Sequence, residues 1–249
     1  MTAQMLQKRV EKMANRDMRI GLLVPSSNTT MEVDFHRVIL PGITVHTGRL
    51  YLETNSFDEL MRMQEDVLRQ AKCLATADVD VIVYGCTGGS FAKGVGYDLQ
   101  LAHAIEEATN IPAVTTSTAL VDSLRILGVK RVAFAAPYPP HLMEAGRDFF
   151  SGNGFEVLGV RGLGIARNTE IGRLAPESGY DLACQVDGEH VEAIILSCTN
   201  WPVIGIIERI EKQLGKPVVS SNQASLWGAL RALHYSGKVT NLGMLMQKL

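Results

Sequence analysis

No apolar run in this 249-residue sequence approaches the roughly 18 residues that cross a bilayer, so no membrane-spanning segment is expected. Charge is scarce and balanced. Only 20% of residues are charged and the net charge is −2, which offers no basic surface to nucleic acid or an anionic membrane. There are four cysteines, too few for a disulfide scaffold, and no two of them form a Cys-x-x-Cys pair. The six histidines show no metal-ligand spacing, no P-loop occurs, and "KGVGYD" is not a dinucleotide fingerprint following a strand. Neither a metal nor a cofactor is expected. The N-terminal stretch "MTAQMLQKRVEKMANRD" lacks the apolar centre of a secretory signal, so a reducing, cytoplasmic setting is expected.

Apolar residues, in contrast, make up 46% of the chain, enough for a well-filled core in one large α/β domain or two small ones. Short apolar runs alternate with helix-length segments, the pattern of βαβ units and a parallel sheet. Strands are expected near 18–24, 43–50, 79–84, 111–115, 131–136, 155–161, 191–196 and 217–219. Helices are expected near 57–77, 93–109, 117–128, 139–152, 176–187, 202–214 and 222–235. In the first of these, Phe57, Leu60, Met61, Val67, Leu68, Ala71 and Leu74 recur at helical spacing, with Gln64 the one polar break.

The sequence also repeats itself. Arg19 and Arg131, Pro25 and Pro137, Ile43 and Phe155, and Cys86 and Cys198 each stand 112 residues apart. "IPAVTTSTA" and "KPVVSSNQA" continue the match at an offset of 105, after a deletion. The fold expected is therefore α/β: two pseudo-symmetric, four-stranded parallel, Rossmann-like halves with the active site in the cleft between them. Residues 1–115 with 220–249 would form the first half and 116–219 the second, the C-terminal helix packing back on the first.

Ligands of open parallel sheets bind beyond the carboxyl ends of the strands, and the polar clusters of this chain lie there. Two of them, "GCTGGS" and "SCTN", present Cys86 and Cys198 at matched positions. A lone strand-end cysteine reads as a small core hydrophobe, whereas a repeat-matched pair points to catalysis. Glycines and a following helix would lower the Cys86 thiol towards neutrality. Two sulfurs on opposite walls suit chemistry on both faces of one carbon, one acting as base or nucleophile while the other supplies a proton. Hydroxyl and amide groups in three clusters (Ser26 to Thr29, Thr116 to Thr118, Ser220 to Asn222) would anchor a small carboxylate, helix capping being their alternative role. Tyr138, matched to Ser26, is expected to reach the same cleft, or else to pack on the surface. Cys73 and Cys184, inside expected helices with no matched partner, read as packing.

A duplicated α/β unit with one strand-end Cys-Thr per half resembles the aspartate/glutamate racemase superfamily, which includes hydantoin racemases and arylmalonate decarboxylases. Within it, "GLLVPSSNTTMEVDF", "APYPPHLMEAGRDFFSGNGFEV" and "ARNTEIGRL" are similar to maleate cis–trans isomerases. The resemblance implies a cofactor-independent isomerase in which Cys86 attacks the alkene of maleate, a covalent or enediolate-like intermediate rotates, and Cys198 is the second acid/base. It implies carboxylate contacts from Asn28, Tyr138 and Asn168, and a homo-oligomer; Ser27, Thr87, Gly88, Thr199 and Ser117, in the polar strand-end segments, are further candidate substrate contacts. Thr87 to Ser90 are closer to the racemases and to racemase-like proteins associated with ectoine breakdown. An amino-acid or hydantoin-type racemase therefore stays open, then an arylmalonate-decarboxylase-like enzyme. So does a non-catalytic protein that binds a small carboxylate.

Overall fold

The computed structural model describes residues 17–38 and 40–249. The N-terminal stretch read above for a secretory signal lies outside these residues, Asp17 apart, as does the start of the expected first half. The first repeat runs β1 (Met18–Pro25), α1 (Met31–Arg37), β2 (Ile43–Leu50), α2 (Phe57–Gln64), α3 (Val67–Ala75), β3 (Val81–Tyr84), α4 (Thr87–Phe91), α5 (Tyr97–Thr109), β4 (Ala113–Thr115) and α6 (Thr116–Leu127). The second runs β5 (Arg131–Ala136), α7 (Pro140–Gly152), β6 (Glu156–Gly162), α8 (Asn168–Ile171), α9 (Glu177–Val186) and β7 (Ala193–Leu196). It continues through a 3-10 turn (Ile204–Ile206), α10 (Ile207–Leu214), β8 (Val218–Ser220), α11 (Ser221–Ala232) and α12 (Gly243–Met246).

Two parallel four-stranded sheets result, ordered β2-β1-β3-β4 and β6-β5-β7-β8. The central strands are covered on both faces, so β3 (VIVY) and β7 (AIIL) are buried at every residue and read as unbroken apolar runs. The repeat holds in the hydrogen-bond register. Ile20 lies opposite Val81 as Val132 lies opposite Ala193, and Ile82 opposite Ala113 as Ile194 opposite Val218. A bulge in the β5–β6 pair sets Val132 against Val157 but Ala133 against Gly159, moving the match on by one residue to an offset of 113. The helices after the fourth strands, α6 and α11, pack on each other, and α11 also lies against β3 and β4 of the first sheet. Among the described residues no helix is long and apolar enough to cross a membrane.

Some elements differ from expectation for local reasons. The helix expected over 57–77 is two helices, broken at Glu65 and Asp66. The break resets the helical phase: Leu60, Met63, Val67, Ala71 and Leu74 are buried, while Phe57 and Leu68 face outward. Cys73, one position off that face, is exposed, as is Cys184 on α9, so neither packs in the core. The expected helix over 93–109 starts only at Tyr97, because Gly94 and Gly96 take positive φ. The one over 202–214 starts at Ile207, after the 3-10 turn.

Candidate active site

β3 and β7 end at Tyr84 and Leu196, and the chain then delivers Cys86 and Cys198, each 5% exposed. Cys86 caps α4, its sulfur accepting the Gly89 N–H at 3.4 Å. Cys198 accepts the Asn200 N–H, also at 3.4 Å. The two cysteine segments are joined. Thr199 Oγ1 donates to Gly85 O at 3.0 Å, Cys198 N–H donates to Ser221 Oγ at 3.0 Å, and Ser221 Oγ meets Thr87 Oγ1 at 2.9 Å. The Tyr138 hydroxyl hydrogen-bonds Cys198, and Tyr138 interacts electrostatically with Cys86 as well. The loops of both halves thus meet in one place, and both thiols are in it.

The expectation of a lowered thiol pKa is corrected. Burial pushes Cys86 up to about 11, against the pull of the Gly89 N–H and of a hydrogen bond from Tyr84. Burial likewise pushes Cys198 up to about 12, against the Asn200 N–H and Tyr138. Desolvation of a sulfur anion outweighs one or two donors, and α4 has too few residues for a large dipole. In this closed arrangement both groups are thiols at neutral pH. The same burial holds the Tyr84 and Tyr138 hydroxyls well above the usual phenol range.

The other expected site residues divide into two groups. Asn28, Ser27, Tyr138, Asn168 and Thr199 stand across the junction of the halves. Asn28 Nδ2 donates to Thr199 Oγ1 at 3.0 Å, and Asn168 Nδ2 donates to Ser27 Oγ at 2.9 Å. Tyr138 is 2% exposed, so the surface-packing alternative does not hold. Thr87 sits beside Ser221, with Gly88 following it in α4. Ser117 lies beneath α4, donating to Thr87 O at 3.2 Å with its hydroxyl 2.5 Å from Ser90 Oγ, so it supports the loop from below. Thr115 and Ser220 spend their hydroxyls as N-caps of α6 and α11, as capping alone requires.

Several residues of the site went unread in the sequence. Tyr84 is fully buried, and Gln64 Nε2 donates to its oxygen at 2.8 Å and to Gly89 O at 2.9 Å. That leaves the tyrosine proton for Cys86. A Cβ on Gly89 would overlap the Tyr84 hydroxyl, so this position requires glycine, whereas Gly88 has ordinary room. Gln64 was visible as the polar break in its helix, with a role that only the partner strand reveals. Asp34 is buried at 2% exposure, accepts from Asn222 Nδ2 at 2.7 Å and is raised by burial to about 6. Asn222 Nδ2 also donates to Thr199 O, the counterpart of Ser117 on Thr87 O.

Over the cleft the loops after β2 and β6 form a strap. Thr54 and Arg167 make an isolated antiparallel bridge, flanked by Asn55 N–H to Ala166 O at 2.8 Å and Asn168 N–H to Glu53 O at 3.1 Å. A pocket of about 360 Å³ lined by Ser27, Glu53, Arg167 and Thr169 lies along the strap. Among the described residues no three His, Cys, Asp or Glu side chains are grouped to hold a metal ion.

Residues 20–246 match the family described as arylmalonate decarboxylase. The chain belongs to that family. Relatives of two named activities match it at similar identity. A maleate isomerase of Pseudomonas putida is 33% identical over 241 residues, covering 92% of this chain and 96% of its own. The arylmalonate decarboxylase of Bordetella bronchiseptica is 31% identical over 216 residues, covering 85% of this chain and 89% of its own. A solved structure of Nocardia farcinica maleate cis–trans isomerase, a cysteine-to-serine mutant with a covalently bound succinylcysteine intermediate, superposes with a TM-score of 0.90. It is 29% identical, and the match covers 93% of this chain and 99% of that one. The two-sheet α/β architecture of this chain is thus that of family members with cysteine chemistry.

Proposed function

We propose that this family member is a cytoplasmic, cofactor-independent isomerase that converts maleate to fumarate, with Cys86 as nucleophile and Cys198 as the facing acid/base. The observation that carries the reading is the buried pair of thiols at matched positions of the two halves, in segments that Ser221 ties together through Thr87 Oγ1 and the Cys198 N–H, with Tyr138 interacting with both. The succinylcysteine of the Nocardia relative supports it independently.

The chemistry is an addition followed by its reverse. Cys86 Sγ bonds one alkene carbon, the π pair moves onto the neighbouring carbon and its carboxylate, and a proton reaches that carbon. The sum is one S–H added across the double bond. The former alkene, now a single bond, rotates. Removal of the same proton and departure of the sulfur leave the trans alkene. Nothing is oxidised or reduced, which is why no cofactor is called for, and the thiols must stay reduced, which fits a cytoplasmic setting. All four cysteines are free. Asn28, Asn168 and the Thr87 hydroxyl are the polar groups offered to the carboxylates, while burial excludes the water that would intercept the carbanion.

Proton NMR of maleate in deuterium oxide tests this. Fumarate is expected from the native protein and none from Cys86→Ser. An unaltered maleate spectrum would contradict the substrate, and deuterium exchange at the α-carbon of an amino acid would favour racemisation.

A further inference from the structure

The strap over the cleft lies on the pseudo-two-fold axis that relates the halves. With the one-residue bulge in β6, the counterpart of Thr54 is Arg167, the very residue it bridges, and the counterpart of Asn55 is Asn168. The backbone bonds obey the same symmetry: Asn55 N–H to Ala166 O mirrors Asn168 N–H to Glu53 O. So do the bonds to their carbonyls. Asn168 O accepts from Asn200 Nδ2 at 2.7 Å. Asn55 O is paired with His141 Nε2 at 3.1 Å, His141 standing in because the counterpart of Asn200 is Gly88, which has no side chain.

The symmetry breaks at one atom. Asn168 Nδ2 donates to Ser27 Oγ, but the counterpart of Ser27 is Pro139, which has no side-chain acceptor. Asn55 is 5% exposed, and its Nδ2 is buried with no hydrogen-bond partner among the described residues. An unpaired buried donor carries its desolvation penalty with nothing to offset it, so a buried amide of this kind points to an acceptor that arrives with a ligand. The α2 helix that follows Asn55 packs on α4, the helix capped by Cys86, and both Leu60 of α2 and Leu142 of α7 lie beside Gly88. Asn55 therefore stands on the Cys86 side of the cleft as Asn168 stands on the Cys198 side.

We propose that Asn55 is a substrate-binding residue whose side-chain amide holds one carboxylate of a dicarboxylate, opposite the carboxylate held from the Asn168 side. This rests on the dicarboxylate reading of the site and deepens it. A ligand with two carboxylates matches a site with two symmetry-related asparagines, and a monocarboxylate leaves the Asn55 amide unanswered. Asn55 thereby sets the preference for diacids.

The test is isothermal calorimetry on Cys86→Ser protein, with and without Asn55→Ala, titrating maleate, succinate and the monocarboxylate acrylate. The Asn55→Ala change is expected to weaken both diacids about ten- to a hundredfold, the range of a hydrogen bond to a charged group, and acrylate by less than about threefold. Asn55→Asp, which keeps the shape and adds a repelling charge, is expected to weaken the diacids at least as much. The strap is held by backbone groups, so both variants retain it, and an unchanged melting temperature checks this. Equal weakening of diacids and acrylate would mean a general loss of the strap and overturns the proposal. Undiminished diacid binding in Asn55→Ala overturns it alone. Failure of every diacid to bind the Cys86→Ser protein overturns it together with the dicarboxylate reading.

Discussion

Cys86 and Cys198 hold their protons because both are buried, and the donors around them decide how far from neutrality they stay. Tyr84 is the donor specific to Cys86, aimed there by Gln64. Replacing it with phenylalanine removes a hydrogen bond to the developing thiolate. Iodoacetamide alkylation of Cys86 at fixed pH is expected to slow about three- to tenfold, with Cys198 unchanged in the same digest as the control. Asp34 gives a prediction of opposite kind. Its carboxyl is raised from 3.8 to about 6, so the folded chain keeps a proton that the unfolded chain has released. The stability this supplies is present at low pH and is lost as pH rises through 6. Relative to Asp34→Asn, the native protein should gain about 1 kcal/mol of unfolding free energy between pH 7 and pH 5, read from urea denaturation.

At the scale of the element, α4 shows where local pattern stops being informative. "TGGSF" carries two helix-weakening glycines and no apolar period, so nothing in it announces a helix; Cys86 capping and burial of all five residues make it one. The sequence reading singled out Gly88, but Gly89 is the position under constraint, since only there does a Cβ meet the Tyr84 hydroxyl. Gly89→Ala is expected to cost about 1–3 kcal/mol by overpacking, while Gly88→Ala stays within about 1 kcal/mol of the parent in either direction; thermal unfolding of the two variants decides it. The split of the 57–77 helix follows the same logic. Its apolar stripe was legible, yet the break that turned Phe57 and Leu68 outward depends on a turn with no Gly or Pro to mark it.

At the scale of the molecule, the repeat was the most legible feature and carried the furthest. A match between cysteines 112 residues apart reappears as the same register in the β1–β3 and β5–β7 pairs, two sheets of one order, and mirrored bonds from Ser117 and Asn222 onto the Cys-Thr loops. The strap was not legible. Its pairing depends on a bulge at Val157–Gly159 that shifts the repeat by one residue, and the aligned letters give no sign of it. The same shift is what pairs Asn55 with Asn168. Two halves that each supply a thiol make a site neither has alone, and in the proposed reaction one of those thiols adds to the substrate while the other moves the proton.

Mass spectrometry with peptide mapping tests that most directly, after incubating Cys198→Ser protein with maleate. A succinyl adduct on the peptide containing Cys86, absent from Cys86→Ser, is the predicted result. An unmodified Cys86 in a protein that still turns maleate over, or an adduct on another residue, would contradict it.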